Sequence, residues 1–331
     1  MKHILVSFVF ICTFWSCQKE KVTISKLKTS IGERNELALV IEDSLWNGWV
    51  GDSIRKHIAR PVDGLRKNEP MFDIIQFSPK IFNQKAKTYR NIVEFRIQAR
   101  DTFKLDKSMY ASPQNYFSIE ATSQQDLIHL LHHYSDSIVH VLYQSELNEE
   151  QHYINRLQIH NDTLFKSLIG STIKIPMYYH LAKYTIDPFM WYQKNLSSGD
   201  VNLVLYEFPI AYIERNGGSI EEHLLLAKDS IGKHFIKGAK SFSYLKIDQE
   251  VPPKIRPFIK DDMQVYEIKG SWKMENDFVY GPYICYVYRD EYYERYLFVE
   301  GFINDPYKLN RDHLMELEAI IQSINFYEND L

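Results

Sequence analysis

Three histidines and an aspartate in the middle of the chain have a spacing that could bind a metal ion. His129, His133, Asp136 and His140 fall within about 60° of one another if this segment is helical. The large apolar residues of the segment fall on the opposite side, and no glutamate stands between the histidines as in metalloprotease motifs. We therefore expect a solvated helix face here, and a zinc or other metal site is the alternative.

A second cluster, nearer the N-terminus, combines aromatic rings with polar side chains. Trp46, Asn47, Trp49 and Asp52 could form a carbohydrate site, in which rings stack on sugar faces and polar groups bind hydroxyls. The same residues also suit the start of a helix whose two tryptophans pack against the preceding strand. We favour packing, and a ligand site stays the alternative.

Aromatic residues also alternate along a predicted strand in the C-terminal half. Tyr280, Tyr286 and Tyr288 share one face of that strand. If this face is exposed, it would suit a glycan or a partner protein; if it is covered, it would form core beneath the C-terminal helix. We favour the covered arrangement.

Acidic residues of the same region could supply a catalytic pair for glycoside hydrolysis, which needs two carboxylates about 5 to 10 Å apart. The candidates are Glu267, Asp277, Asp290, Glu294 and Glu300. Because the exposed faces of antiparallel strands ordinarily carry such acids, their presence alone does not indicate an enzyme.

Composition and missing motifs narrow the functional classes. The 331 residues are 45% hydrophobic and 25% charged, with a formal net charge of −4. Acidic and basic residues are interspersed, so the sequence has no cluster of basic residues of the kind that binds nucleic acid. It also lacks a Walker loop, a nucleotide-binding glycine fingerprint and a Gly-x-Ser-x-Gly elbow. We expect no cofactor and no nucleic-acid partner, and we regard an enzyme as less favoured.

Apolar periodicity indicates the elements that must position these residues. In the N-terminal half it predicts strands and helices bounded by turn residues. The strands are 37–41, 72–77, 91–97 and 116–120, and the helices are 44–60, 124–143 and 149–168. Ser123 begins the second helix with capping-box spacing, and Gly170 ends the third.

The C-terminal half is richer in strands. Strands are predicted at 172–176, 189–192, 201–208, 265–269, 278–288 and 292–302, and helices at 219–234 and from about residue 310. Ser219 and Glu222 form a capping box. Runs of strands with helices between them predict an α+β fold of two mainly antiparallel, sandwich-like halves joined by helices. We place an N-terminal α+β domain at 34–170 and a C-terminal one at 171–331.

The first residues have the layout of a lipoprotein signal. A short basic start precedes the apolar residues 4–16, and Ser16 stands directly before Cys17. Thirteen apolar residues are too few to span a bilayer. We expect a signal peptide at 1–16, a lipid on Cys17 and a tether at 17–33. The protein would then be exported and anchored to the cell envelope at the outer membrane, with its periplasmic or surface orientation left open.

Motifs across most of the chain resemble the lipoprotein family of domain of unknown function 4837. They include Arg34-Asn35-Glu36-Leu37, Leu45-Trp46-Asn47-Gly48, Glu69-Pro70-Met71-Phe72-Asp73, Ile173-Lys174-Ile175-Pro176, Gly281-Pro282-Tyr283 and Val299-Glu300-Gly301-Phe302. The resemblance implies an envelope lipoprotein and brings no activity, ligand or catalytic residue. The C-terminal domain is also similar in layout to the PsbP-like sandwich, a likeness of fold that does not fix function.

Together these features favour a non-catalytic binding or assembly module of the envelope. Its aromatic surface, or a groove between its domains, would bind an envelope protein or glycan. The alternatives are an enzyme acting on envelope glycan or peptidoglycan and a small-ligand carrier. Convergent carboxylates in a cleft would favour the enzyme. An enclosed apolar pocket would favour the carrier, and an exposed aromatic patch would favour the binding module.

Overall fold

A computed structural model describes residues 27–66, 68–161, 163–185 and 189–326. The predicted signal peptide, Cys17 and the first part of the predicted tether lie outside these residues. None of the helices in the described ranges combines the length and apolar character that spanning a membrane requires.

The N-terminal half contains seven of the described strands and three α-helices. The strands are β1 Lys28–Thr29, β2 Glu36–Val40, β3 Asp73–Phe77, β4 Asn91–Ile97, β5 Thr102–Lys107, β6 Ala111–Ser112 and β7 Asn115–Ala121. The helices are α1 Asp43–Trp46, α2 Trp49–His57 and α3 Gln124–Ile154.

The C-terminal half contains the remaining elements. Its strands are β8 Ser171–Thr172, β9 His180–Thr185, β10 Phe189–Asn195, β11 Asp200–Pro209, β12 Leu245–Ile247, β13 Lys254–Lys260, β14 Met263–Met274, β15 Tyr280–Asp290, β16 Arg295–Asn304 and β17 Asn325–Phe326. Its helices are α4 Thr163–Ile169, α5 Ile210–Ile213, α6 Ile220–Phe235 and α7 Arg311–Gln322.

The α+β class is confirmed, and most of the sheet structure is antiparallel. The larger sheet has the order β12-β14-β15-β16-β11-β10-β9, and β13 pairs beside β12 on the same side of β14. Each described pair in this sheet is antiparallel. One face packs against α7 and the end of α3, and the other packs against α6.

The smaller sheet differs from the antiparallel pairing that we expect for the N-terminal half. Its order is β3-β2-β4-β7-β5, in which only β5 runs antiparallel to its neighbour. Parallel neighbours need a crossover connection, and α1 with α2 supplies one between β2 and β3. The apolar residues of β2 are buried on both faces, as is usual in a parallel sheet.

Helix α3 connects the two sheets as one continuous helix of 31 residues. The predicted break between residues 143 and 149 is therefore wrong. The residues around this position are polar, so the sequence pattern shows no apolar stripe there. Glu146 nevertheless lies on the buried face of α3, where the guanidinium of Arg90 donates to both carboxylate oxygens at 2.9 Å. The first part of α3 packs on the smaller sheet, and Leu147 and Ile154 pack on the larger one.

The predicted helix 44–60 is divided into α1 and α2 at Asn47 and Gly48. Gly48 has extended backbone angles, which interrupt the helical hydrogen-bond ladder. The two short helices then pack tightly, since a Cβ on Gly51 would lie 1.8 Å from the carbonyl oxygen of Trp46. A glycine is required at that contact.

Candidate functional site

A groove with a volume of about 1280 Å³ lies between α3 and β13, where the two halves meet. Val139, His140 and Tyr143 of α3 form part of one wall, and Arg256 and Phe258 of β13 form part of the other. The floor comes from β14, β15 and α7. The groove is thus built from elements of both halves and depends on their packing.

Two buried carboxylates converge on one ammonium at the floor of this groove. Lys269 Nζ lies 2.7 Å from Glu267 Oε1 and 3.0 Å from Glu318 Oε2. Glu267 and Glu318 are only 4% and 2% exposed. Burial of an unpaired charge is strongly unfavourable, so these groups depend on one another.

Hydroxyl and amide groups complete the floor. Tyr286 Oη donates to Glu318 Oε1 at 2.9 Å, and Tyr143 Oη donates to the other oxygen of the same carboxylate. The side-chain amide of Gln322 donates to Tyr286 Oη at 2.9 Å. Both oxygens of Glu318 therefore have partners.

The local structure explains why these side chains meet. Glu267 and Lys269 are two residues apart on β14 and share one face, and Glu267 is directly opposite Tyr286 on β15. Glu318 and Gln322 are one helical turn apart on α7. We refer to Tyr143, Glu267, Lys269, Tyr286 and Glu318 as the floor network.

Partners within the floor network favour the charged forms of Glu318 and Lys269. Burial alone would raise the pKa of Glu318, but the Lys269 ammonium and the two tyrosine hydroxyls hold it below the usual range. Burial would lower the pKa of Lys269, and the neighbouring carboxylates hold it well above the usual range instead. Burial raises the pKa of Tyr143 and of Tyr286. These shifts favour the charged forms of Glu318 and Lys269 and the neutral forms of the two tyrosines, whereas general acid–base catalysis needs a pKa near the working pH.

The structure places the histidine cluster on an exposed face of α3. His129, His133, Asp136 and His140 are all exposed, and Asp136 pairs with a guanidinium nitrogen of Arg60 at 2.5 Å. No group of three or more His, Cys, Asp or Glu side chains in the described part of the chain is arranged to hold a metal ion. Asp136 and His140 line the groove.

The tryptophan cluster divides between two environments. Trp46 packs partly against the core, and the guanidinium carbon of Arg55 lies 4.4 Å from the centroid of its ring. Trp49 is 78% exposed at the start of α2. Asp52 is exposed and pairs with Arg55 at 2.7 Å, and Asn47 is exposed between α1 and α2.

The three tyrosines of β15 also divide. Tyr286 and Tyr288 are buried in the core under α7, and Tyr288 contacts the ring of Phe326 at 5.2 Å. Tyr280, at the start of the strand, is partly exposed beneath the guanidinium of Arg66 at 4.6 Å. Of the three, Tyr286 lines the groove.

Sequence reasoning identified Glu267 among several acids but missed the other charged members of the floor network. One signal was available for Glu318. It lies within the apolar stripe of α7 beside Leu314, Leu317 and Ile321, all of which are buried. A carboxylate in such a stripe needs a buried partner.

Two family models match successive parts of the chain. The model described as domain of unknown function DUF4837 matches residues 158–323, and the model described as domain of unknown function DUF8532 matches residues 30–155. No curated protein matches the chain in sequence.

Proposed function

The chain belongs to the DUF4837 family, and from this premise we propose that it is an exported envelope lipoprotein acting as a non-catalytic binding or assembly module. The apolar residues 4–16 followed by Ser16 and Cys17 support export and lipid attachment. Two or more acyl chains on one cysteine suffice for stable membrane anchoring. In this proposal the lipid on Cys17 is the membrane contact, at the outer membrane.

The groove between α3 and β13 is the binding site in this proposal. The floor network supports it most directly, because its buried charges are paired with one another. A preorganised polar floor can orient a ligand without titrating, whereas a catalytic acid or base would need to exchange a proton. The groove is also large enough for an extended ligand.

The occupant that we favour is an extended acidic segment of an envelope protein. Strand β13 carries three basic residues on its groove side, namely Lys254, Arg256 and Lys260. The side chains of Lys254 and Arg256 are both 70% exposed although each has an acidic partner. Phe258 lies between the basic residues and offers an apolar contact. Complementary charge of this kind favours association and selects partners.

Strand β13 is also suited to a selective contact. Among the described residues it pairs only with β14, so its outer edge has backbone groups outside the sheet. Pro257 and the basic side chains protect such an edge from indiscriminate strand pairing. The side-chain face, more than the backbone edge, would therefore contact the partner.

Site-directed photocrosslinking in the native membrane tests this proposal. A crosslinking residue at His140, on the groove wall, should yield one recurrent protein adduct, and one at Leu226, exposed on α6, should not. Arg256→Glu should reduce the His140 adduct at unchanged protein level. Equal adducts at both positions, or no effect of Arg256→Glu, would contradict the groove as the partner site.

The membrane part of the proposal has a separate test. Cys17→Ser should remove the acyl group and move the protein from the membrane fraction to the soluble fraction, as judged by fractionation and mass spectrometry. Retention of the variant in the membrane would contradict anchoring through this cysteine.

The convergent carboxylates favour one second candidate, an enzyme acting on envelope glycan or peptidoglycan. Glycoside hydrolysis needs one of its two carboxyls protonated, and Lys269 between Glu267 and Glu318 opposes that. Purified protein incubated with peptidoglycan sacculi should therefore release no soluble fragments. Release that is lost in Glu318→Gln would establish the enzyme and overturn the binding proposal.

A further inference from the structure

Three buried oxygen atoms near the start of α7 have no hydrogen-bond partner among the described residues. They are Glu69 Oε1, Asp305 Oδ2 and Asn310 Oδ1. The three side chains line one small cavity with a volume of about 30 Å³. Glu69 and Asp305 are each 2% exposed. Leaving even one buried carboxylate oxygen without a partner is unfavourable, and here two occur together.

The other oxygen of Glu69 has a structural role. Glu69 Oε2 accepts hydrogen bonds from the backbone amides of Asn310 and Arg311 at 2.7 and 2.9 Å. Those amides are among the unsatisfied donors at the start of α7. The carboxylate is thus held in place by one oxygen, and its second oxygen stays unpartnered.

Asp305 and Asn310 are held in a similar way by their other polar atoms. Asp305 Oδ1 accepts from Ser198 Oγ at 2.8 Å. The Asn310 amide nitrogen donates to the carbonyl of Asp305 at 3.2 Å, which fixes the orientation of the amide and leaves Oδ1 without a donor. Each of the three residues therefore presents one acceptor that no described donor uses.

Two carboxylate oxygens and an amide oxygen are the hard ligands that calcium prefers. The site differs from a histidine or cysteine metal cluster because its third ligand is an amide. Arg66 also lines the cavity, but its guanidinium is bound to the buried Asp248, with Nε donating at 2.8 Å. The carboxylates of Glu69 and Asp305, each with one unpartnered oxygen, therefore place negative charge beside a space large enough for an ion with bound water.

We propose that Glu69, Asp305 and Asn310 form a calcium-binding site that joins the segment before β3 to the start of α7. Calcium accepts irregular geometry with six to eight oxygens at roughly 2.3–2.6 Å, which suits ligands from separate segments. In this proposal the three side-chain oxygens supply part of that coordination, and water supplies the rest. Magnesium, which demands near-octahedral geometry, fits this set less well. The site is separate from the groove and does not depend on the proposed function.

Calcium titration of the purified full chain after chelation tests the proposal. Calorimetry should show one saturable Ca²⁺ site with a Kd of roughly 10⁻⁴–10⁻³ M, as in extracellular calcium modules. Asp305→Asn, which keeps the size of the side chain, should weaken binding at least about tenfold, since ligand charge tunes affinity. Glu69→Gln should act in the same direction. Glu291→Gln, which removes an exposed charge elsewhere, should leave the Kd unchanged.

Hydrogen exchange on the unaltered protein tests the same site without any substitution. Added Ca²⁺ should slow amide exchange in peptides that cover residues 305–311 and leave peptides of α6 unchanged. Absence of saturable binding up to about 10 mM Ca²⁺, a concentration well above the expected Kd range, would overturn the proposal and indicate that water alone satisfies these oxygens. Protection that appears elsewhere but not at 305–311 would overturn it as well.

Discussion

The two faces of the larger sheet each bury a lysine–glutamate pair, but only one of the pairs can be reached from outside. On the α6 face, Lys228 Nζ lies 2.8 Å from Glu300 Oε1, and both side chains are at most 2% exposed. On the α7 face, Lys269 lies between Glu267 and Glu318 at the floor of the groove. Both sites pair a buried lysine with glutamate, but different elements cover them.

The sealed pair has fewer partners than the open one. Tyr206 Oη donates to Glu300 at 2.8 Å, and Lys228 Nζ lies 4.2 Å from the centroid of the Tyr283 ring. The Lys228–Glu300 contact itself lacks good hydrogen-bond geometry, so it is an ion pair alone. The contribution of this pair to the free energy of unfolding therefore depends strongly on both charges being present.

The open network has more partners and some access to solvent. Lys269 has two carboxylates, and its side chain is 21% exposed. Loss of one acid would leave the other in place. A buried lysine–glutamate pair therefore need not mark a site, because the element that covers the pair decides whether a ligand can reach it.

Glu300→Gln should give the largest effect on stability, because it leaves the Lys228 ammonium buried without a counter-charge. We expect a loss of about 3–5 kcal/mol in the free energy of unfolding, measured by urea denaturation. The double variant Glu300→Gln with Lys228→Met should recover much of that loss. If the double variant is as unstable as the single one, the loss comes from packing and not from the unpaired charge.

Another buried acid, Glu150 of α3, shows how partners determine the charge state of a buried carboxyl group. Arg34 Nε lies 2.7 Å from one of its oxygens, and the other has no described partner. Burial raises the pKa of Glu150 to about 7, with repulsion from Glu316 adding to the effect. Glu316 is also buried, but Lys194 and other partners hold its pKa at about 2.

The sign of the resulting pH dependence follows from the raised pKa of Glu150. Since the unfolded state loses this proton near pH 4.5 and the folded state near pH 7, the free energy of unfolding should fall by roughly 3 kcal/mol as the pH rises through that window. Glu150→Gln should remove this fall, as measured by urea midpoints at pH 5 and pH 7.5. An unchanged slope in the variant would show that another group is responsible.

Sequence patterns predicted much of the local structure. The capping box of Ser219 and Glu222 is present with both of its hydrogen bonds, and α6 begins directly after it. Asn310 stands at the start of α7 close to the predicted position. Such signals lie within a few residues of one another, so a single sequence contains them.

The floor network could not be predicted in the same way. The hydrogen bond from Tyr143 to Glu318 joins residues 175 positions apart, and no periodicity records that contact. Strand direction in the smaller sheet was missed for the same reason, since pairing is decided by crossovers and packing. The continuity of α3 was obscured by Glu146, whose burial depends on Arg90, directly before β4.

Glu318→Gln should destabilise the protein less than Glu300→Gln, because Glu267 still neutralises Lys269. We expect a loss of about 1–2 kcal/mol, measured by urea denaturation under the same conditions. The variant should also alter partner binding in the groove, since the floor would lose one fixed charge. A loss as large as that of Glu300→Gln would mean that the floor network is as dependent on each charge as the sealed pair.

Arg256→Glu should have the smallest effect on stability and the most selective effect on binding. Its side chain is 70% exposed on β13 and Lys269 still pairs with Glu267, so the loss in the free energy of unfolding should be smaller than in Glu300→Gln and Glu318→Gln. The reversed charge should nevertheless repel an acidic partner segment, which the His140 crosslink would report as a weaker adduct. Arg55→Glu, at a 44% exposed position on α2 outside the groove, serves as the matched control. Equal loss of the adduct in both variants would indicate that net charge, and not the basic face of β13, governs binding.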